Sequence, residues 1–386
     1  RGEALDFVRR LEANGSTDIN HALLEALSMV DEERTTILIF LTDGLPTTGE
    51  VDPDRIIRNV RDAAPDNIRL FPFGVGYDVN TFLLDTVAQN HRGASGYVQP
   101  EEAIDEKVSA FYAKVSTPLL SDLELDFGRV DVEEVYPYPL PDLFAGTQLV
   151  VVGRYRQDGD STVRLRGVVN DRPQTFQYDD LNFRDEGGQE FIARLWATRK
   201  IGYLLQQIRL HGEEKELIDE VVDLSIRYGI ITPYTSFLVE ETERALREVG
   251  REAIAEEVLV QATALPMPSS GADAVARSAG EKMLSEAEAA GAQYLPPSTA
   301  GRSRDEQDRD ISPVKYVGDK TFVLHDGVWT DTTFDPDEMT PVPLSFGGED
   351  YFALLAAHPE WGRYFALGDR LIVVLEGTAY EVREGV

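Results

Sequence analysis

Two short segments place hard oxygen donors where a fold can bring them together: Asn14–Asn20, NGSTDIN, and Phe40–Gly44, FLTDG. Thr17 stands at the start of a predicted helix, and Asp43 stands just past an apolar run that suits a buried strand. In an open sheet of parallel strands, ligands sit outside the carboxyl ends of the strands, which is where Asp43 falls. A hydroxyl and a carboxylate suit Mg²⁺, which takes oxygen ligands in octahedral geometry and keeps several waters. The helix N-terminus beside Thr17 favours an anionic ligand group nearby. Taken singly, each residue has a plainer use: Thr17 as a helix cap, Asp43-Gly44 as a turn. Both together, in order and on those elements, favour a metal site.

The other chemistry-bearing patterns are weaker. Gly74-Val75-Gly76 follows a strand, but Val79 stands where a dinucleotide-binding loop needs its third glycine. Ser95 lies in Gly93-Ala94-Ser95-Gly96, which is not the setting of a hydrolase nucleophile. The histidines His21, His91, His211, His325 and His358 are scattered, with no metal-binding pair, and read as structural or surface residues. Trp196, Trp329 and Trp361 sit among apolar residues and read as core. No nucleophile stands with a base, which argues against an enzyme.

The elements that must position Thr17 and Asp43 follow from periodicity. Helices are predicted over 2–13, 18–31, 53–63, 80–90 and 100–115, and strands over 35–41, 68–75 and 96–98. The run TTILIFL is expected to be buried on both faces. Residues 1–117 therefore read as an α/β unit, a doubly wound, Rossmann-like parallel sheet. Residues 118–240 read as a β-rich region with two helices, near 189–209 and 213–228, and with Ile231–Val239 as a turn running into a strand. Residues 241–313 read as a charged helix followed by a disordered linker, with a transient helix at 272–290. That stretch is rich in Ala, Ser, Gly and charge and buries too little apolar surface to offset its ordering entropy. Residues 314–386 read as a small α+β module, with hairpins at Gly318-Asp319 and Asp326-Gly327, a helix near 348–358 and a final strand at Arg370–Leu375.

Composition sets the class of partner. The 386 residues include 37 basic and 69 acidic side chains, a net charge of −32. This argues against nucleic acid, whose binders neutralise phosphates with Lys and Arg, and against docking on anionic lipid. Only seven of the basic residues are Lys; work in high salt and an Arg-favouring genome explain that equally well. There is no cysteine, so no disulfide and no thiolate metal site. No run of eighteen apolar residues is present to span a membrane. The opening RGEALDFVRR lacks the apolar core of a secretory signal.

On these residues the N-terminal part resembles a von Willebrand factor type A (VWA) domain. The resemblance implies a metal-ion-dependent adhesion site (MIDAS) built from three loops. The first carries Asp-x-Ser-x-Ser. The second carries a Thr, which maps to Thr17, and the third an Asp in a Thr-Asp-Gly turn, which maps to Asp43. It implies Mg²⁺, or Mn²⁺ or Ca²⁺ in its place, and a protein ligand that completes the shell through an acidic side chain. Only sixteen residues precede Thr17 and none forms Asp-x-Ser-x-Ser, so the expectation is that the first strands and first loop lie before Arg1 and that the site is incomplete in this chain. Tyr228–Val239, YGIITPYTSFLV, is similar to the segment after the type A domain in inter-alpha-trypsin inhibitor heavy chains and their bacterial relatives, which begin with a VIT domain. Tyr316–Trp329 and Tyr364–Val382 resemble the tail of the bacterial members. The Asp-Pro-His-Phe site of the animal heavy chains is absent; Asp52-Pro53-Asp54 and Asp335-Pro336-Asp337 stand instead. The resemblance implies a non-enzymatic, metal-dependent binding or adhesion protein of the cell envelope or exterior. The alternative is a structural or assembly VWA module with a degenerate metal site, working with a partner ATPase.

Overall fold

The computed structural model describes residues 2–383 apart from 11, 13–14, 32–34, 116–117, 170–171, 186, 190, 213, 235–267, 290–313, 319, 326 and 337. The expected strand after Tyr234, the charged helix over 241–260 and most of the expected linker lie outside the described residues. The chain divides into two compact units, Arg1–Ala113 with Ser269–Val275, and Lys114–Pro268 with Ala276–Val386.

In the first unit the elements run α1 (Gly2–Val8), α2 (Ile19–Leu27), β1 (Thr36–Thr42), α3 (Pro53–Ala63), β2 (Ile68–Val75), α4 (Thr81–Asn90), β3 (Gly96–Val98) and α5 (Ile104–Val115). The strands form a parallel sheet in the order β1-β2-β3, with Thr42 opposite Gly74 at the carboxyl end. Helices cover both faces. Ile19 and Leu23 of α2, Ile56 and Val60 of α3, and Leu83 and Val87 of α4 pack around Leu70. On the other face Phe111 of α5 meets Phe71 and Phe73, each at 4.9 Å between ring centres. The sharp start of α3 has a local cause: Asp52 Oδ1 accepts hydrogen bonds from Asp54 N (2.9 Å) and Arg55 N (3.2 Å), and Pro53 opens the helix.

β2 is buried along nearly its whole length, as a central parallel strand should be. β1 departs from its expected burial on both faces. Thr36–Phe40 are half-buried and Leu41 is 47% exposed, because among the described residues β1 is the outer strand of the sheet; only Thr42 is buried.

α4 ends at His91, buried in a turn against β2. Its Nδ1 donates to the Val87 carbonyl at 2.7 Å, and its own carbonyl accepts from Leu70 N at 3.3 Å. Burial lowers the imidazole's pKa, outweighing the bond to Val87, which raises it. The unfolded chain thus takes up a proton that the folded unit resists. The first unit should lose stability as pH falls below about 6.5, by at most about 1.4 kcal/mol per pH unit from this group. Urea unfolding at about pH 7 and about pH 5.5 checks this: His91→Gln should show a smaller drop than the parent. An equal drop would remove His91 as the cause.

The second unit begins with β4 (Pro118–Asp126), β5 (Val132–Tyr136), β6 (Leu143–Phe144), β7 (Val152–Tyr155), β8 (Gly159–Val169) and β9 (Arg172–Phe183). They form an antiparallel sheet in the order β6-β4-β8-β9 and a separate β5-β7 pair. α6 (Phe191–His211) and α7 (Lys215–Tyr228) follow, packed through Leu195, Ile201, Leu205, Ile218 and Val222. α6 buries three cations. Arg199 donates to the carbonyls of Ala287 (2.7 Å), Tyr136 (3.2 Å) and Val150. Lys200 lies between Glu134 and Glu220, over the ring of Trp196. Burial alone would lower the Lys200 pKa, but those two carboxylates hold it above the ordinary lysine value. Arg209 pairs with Glu281 at 2.6 Å.

The helix α8 (Ala272–Ser285) corrects part of the linker expectation. It is packed, with Ser278, Glu281 and Leu284 buried. Its small residues, which make the segment look unable to form a core, allow close approach instead. A Cβ on Gly202 of α6 would fall 2.3 Å from Ser285 N, so the helices touch backbone to backbone there.

The C-terminal sheet contains β10 (Val314–Val317), β11 (Lys320–His325), β12 (Val328–Asp331), β13 (Val342–Ser345), β14 (Leu371–Leu375) and β15 (Thr378–Arg383), in the order β10-β11-β12-β14-β15-β13, with α9 (Glu349–Ala357) before β14. Leu371–Leu375 is not the final strand. It turns at Glu376 and Gly377, both at positive φ, into β15. Trp329 and Trp361 are buried, as expected. Among the described residues no helix is long and apolar enough to cross a membrane.

Candidate metal-binding site

The turn that carries Asp43, at the carboxyl end of the parallel sheet, lies beside Thr17 at its Gly44. β1 carries the chain to Thr42, and the turn that follows is held by Thr42 itself. Its Oγ1 donates to the Gly44 carbonyl at 3.1 Å and accepts from Gly44 N at 3.4 Å. The Asp43 side chain takes no part in that turn. It is exposed, and among the described residues its carboxylate makes no hydrogen bond or ion pair.

Thr17 does not cap α2. Asp18 does, with Oδ1 accepting from His21 N at 2.9 Å. Both residue types favour the cap position, and the carboxylate one place later takes it. The Thr17 hydroxyl is left without a hydrogen bond among the described residues. Its neighbour is the turn after β1: a Cβ built on Gly44 would stand 3.3 Å from Thr17 Oγ1. A glycine at 44 therefore leaves room for the hydroxyl against the turn.

The plainer uses of the two residues, cap and turn, are taken over by Asp18 and Thr42. What remains is a hydroxyl and a carboxylate on neighbouring loops, neither with a hydrogen bond among the described residues. Two hard oxygens of this kind are donors for Mg²⁺, Mn²⁺ or Ca²⁺. Among the described residues no group of three or more His, Cys, Asp or Glu could hold a metal. The pair fits part of a coordination shell, not the whole of one.

Sequence reasoning missed the loop that follows. The main chain of Thr17 is bonded to Thr47 and Thr48. The Thr47-Thr48-Gly49 run carries only a turn signal in the sequence.

Residues 1–107 match the family model of the von Willebrand factor type A domain. Over a longer span the chain is similar to inter-alpha-trypsin inhibitor heavy chains. It is 32% identical over 272 residues to heavy chain H3 of Homo sapiens, covering 64% of this chain and 31% of that protein. It is 29% identical over 332 residues to heavy chain 4 of Mus musculus, covering 78% and 35%. The chain thus spans about a third of the length of the curated relatives it matches. Among solved structures, a von Willebrand factor type A protein from Catenulispora acidiphila superimposes with a TM-score of 0.34 and 16% identity, over 66% of this chain and 71% of that one.

Proposed function

We propose that the von Willebrand factor type A domain in residues 1–107 binds a protein partner through a divalent cation held by Thr17 and Asp43. What supports this reading is that the Thr17 hydroxyl lies against Gly44, the residue after Asp43, at the carboxyl end of the sheet, and that neither it nor the Asp43 carboxylate has a hydrogen bond among the described residues. When bound, the cation supplies a positive centre that an acidic side chain of the partner joins. Asp43 contributes negative charge, and Thr17 a neutral oxygen. Two protein oxygens leave most of an octahedral shell to water, to the partner's carboxylate and to donors beyond this pair. Leu41 and Leu45, two residues on either side of Asp43, are 47% and 38% exposed. They give the site an apolar surround of the kind that partner proteins cover.

The reading is tested by titrating the chain with Mn²⁺ in about 0.15 M salt, which screens diffuse binding to its −32 charge. The parent should show one localised site. Asp43→Ala should abolish it and Thr17→Val should weaken it roughly tenfold or more. Thermal unfolding should hardly change, since among the described residues neither side chain has a hydrogen bond or ion pair. Asp43→Ala binding like the parent would overturn the proposal. It would favour the second reading, a module that assembles with a partner ATPase without a metal. The lack of a three-residue acidic or histidine cluster among the described residues is the observation on that side.

A further inference from the structure

We infer that Leu45–Gly49 is a clip that fixes the main chain of Thr17, whose hydroxyl lies against the Asp43-Gly44 turn, and that Thr47 is its positioning residue; this rests on the metal reading of Thr17 and Asp43.

The main chain of Thr17 is engaged by this loop at both its donor and its acceptor. Thr47 Oγ1 accepts from Thr17 N at 2.9 Å. The Thr17 carbonyl accepts from Thr47 N at 2.8 Å and from Thr48 N at 3.3 Å. The loop closes at Gly49, with φ of +68°, where a Cβ would lie 2.4 Å from Asp18 Oδ2. Only glycine takes that backbone conformation and that contact without strain. At its other end the loop leaves Gly44, where an added Cβ would stand 3.3 Å from Thr17 Oγ1. The segment from 44 to 49 therefore grips residues 17 and 18 from both ends. It uses every polar atom of Thr17 except the hydroxyl.

This matters because Thr17 lies outside α2. The helix itself holds Asp18, through the cap, and does not hold the residue before it. Without the loop, the φ and ψ of Thr17 would be free, and its oxygen would have to be ordered each time a ligand bound. Fixing a ligand's orientation in advance is how groups outside the coordination shell raise metal affinity. Thr47 touches no metal in this scheme. It acts through the Thr17 amide.

The test compares Thr47→Val, which keeps shape and removes the acceptor, with Thr47→Ser, which keeps the acceptor. Two quantities are read on the whole chain: hydrogen exchange at the Thr17 amide, and Mn²⁺ affinity. Thr47→Val should speed Thr17 exchange roughly five- to tenfold and weaken Mn²⁺ binding about tenfold. Thr47→Ser should restore both. A merely structural threonine would give matching losses of thermal stability in both variants and no rescue of affinity by serine. Unchanged Thr17 exchange in Thr47→Val would overturn the clip. So would lost protection with unchanged Mn²⁺ affinity, provided Asp43→Ala abolishes binding. If Asp43→Ala binds like the parent, the metal reading falls, and this role for Thr47 falls with it.

Discussion

Gly93→Ala should destabilise the first unit by about 3 kcal/mol or more, at or beyond the top of the range for overpacked sites. A Cβ at residue 93 would lie 1.7 Å from the Leu70 carbonyl oxygen and 2.5 Å from its carbon. Those are main-chain atoms at the centre of β2, paired with Leu38 of β1, and Leu70 is fully buried. No side chain stands between that can rotate away. To admit one methyl, either β2 shifts from its partner or the turn after α4 unhooks. The second course breaks the bonds from Leu70 N to the His91 carbonyl and from Gly93 N to the Ala88 carbonyl. Denaturant unfolding followed by a probe in the first unit measures this, because a chain of two units need not unfold in one step. A change within about 0.5 kcal/mol, ordinary for a surface site, would mean that the close approach is wrong.

Arg209→Met should cost the second unit about 3 kcal/mol, since removing one partner strands a buried charge. The side chains of Arg209 and Glu281 are 10% and 3% exposed, and they join α6 to α8 at 2.6 Å. Little water reaches Glu281 to replace the guanidinium. Arg209→Met with Glu281→Met should recover much of the loss, because an apolar pair of similar volume is often as stable as a buried ion pair. Thermal unfolding of the single and double variants decides it. A double variant as unstable as the single would show that packing, not the stranded charge, sets the cost.

The parts of the fold that the sequence made legible are those with a local cause. α3 is announced by Asp52-Pro53 and ends where expected. β2 is announced by an apolar run that the sheet buries on both sides. The alternation of such runs with helical spacing gives the α/β class. What was illegible depends on long-range packing. Arg199, Lys200 and Arg209 count as polar in any periodicity, so α6 looks amphipathic where the structure buries its charges against carbonyls and carboxylates. α8 looks like linker because its core residues are small, and Gly202 on a distant helix makes that smallness useful. β15 follows a Glu-Gly turn in place of the Asn-Gly or Asp-Gly that signals a hairpin.

The candidate pair was legible by residue type and not by use. Thr17 and Asp43 stand out as oxygen donors, but the sequence cannot say which of Thr17 and Asp18 caps the helix. The structure gives the cap to Asp18 and the turn to Thr42, and that assignment frees the other two. Thr47 carries no signal at all, since its role is a bond to the amide of a residue thirty positions earlier.

The most direct measurement is paramagnetic broadening of backbone amide signals by substoichiometric Mn²⁺. The proposal predicts a single focus, with the signals of residues 16–18 and 43–45 lost first, and loss of that focus in Asp43→Ala. Broadening spread over the acidic surface, or centred elsewhere in the chain, would contradict it.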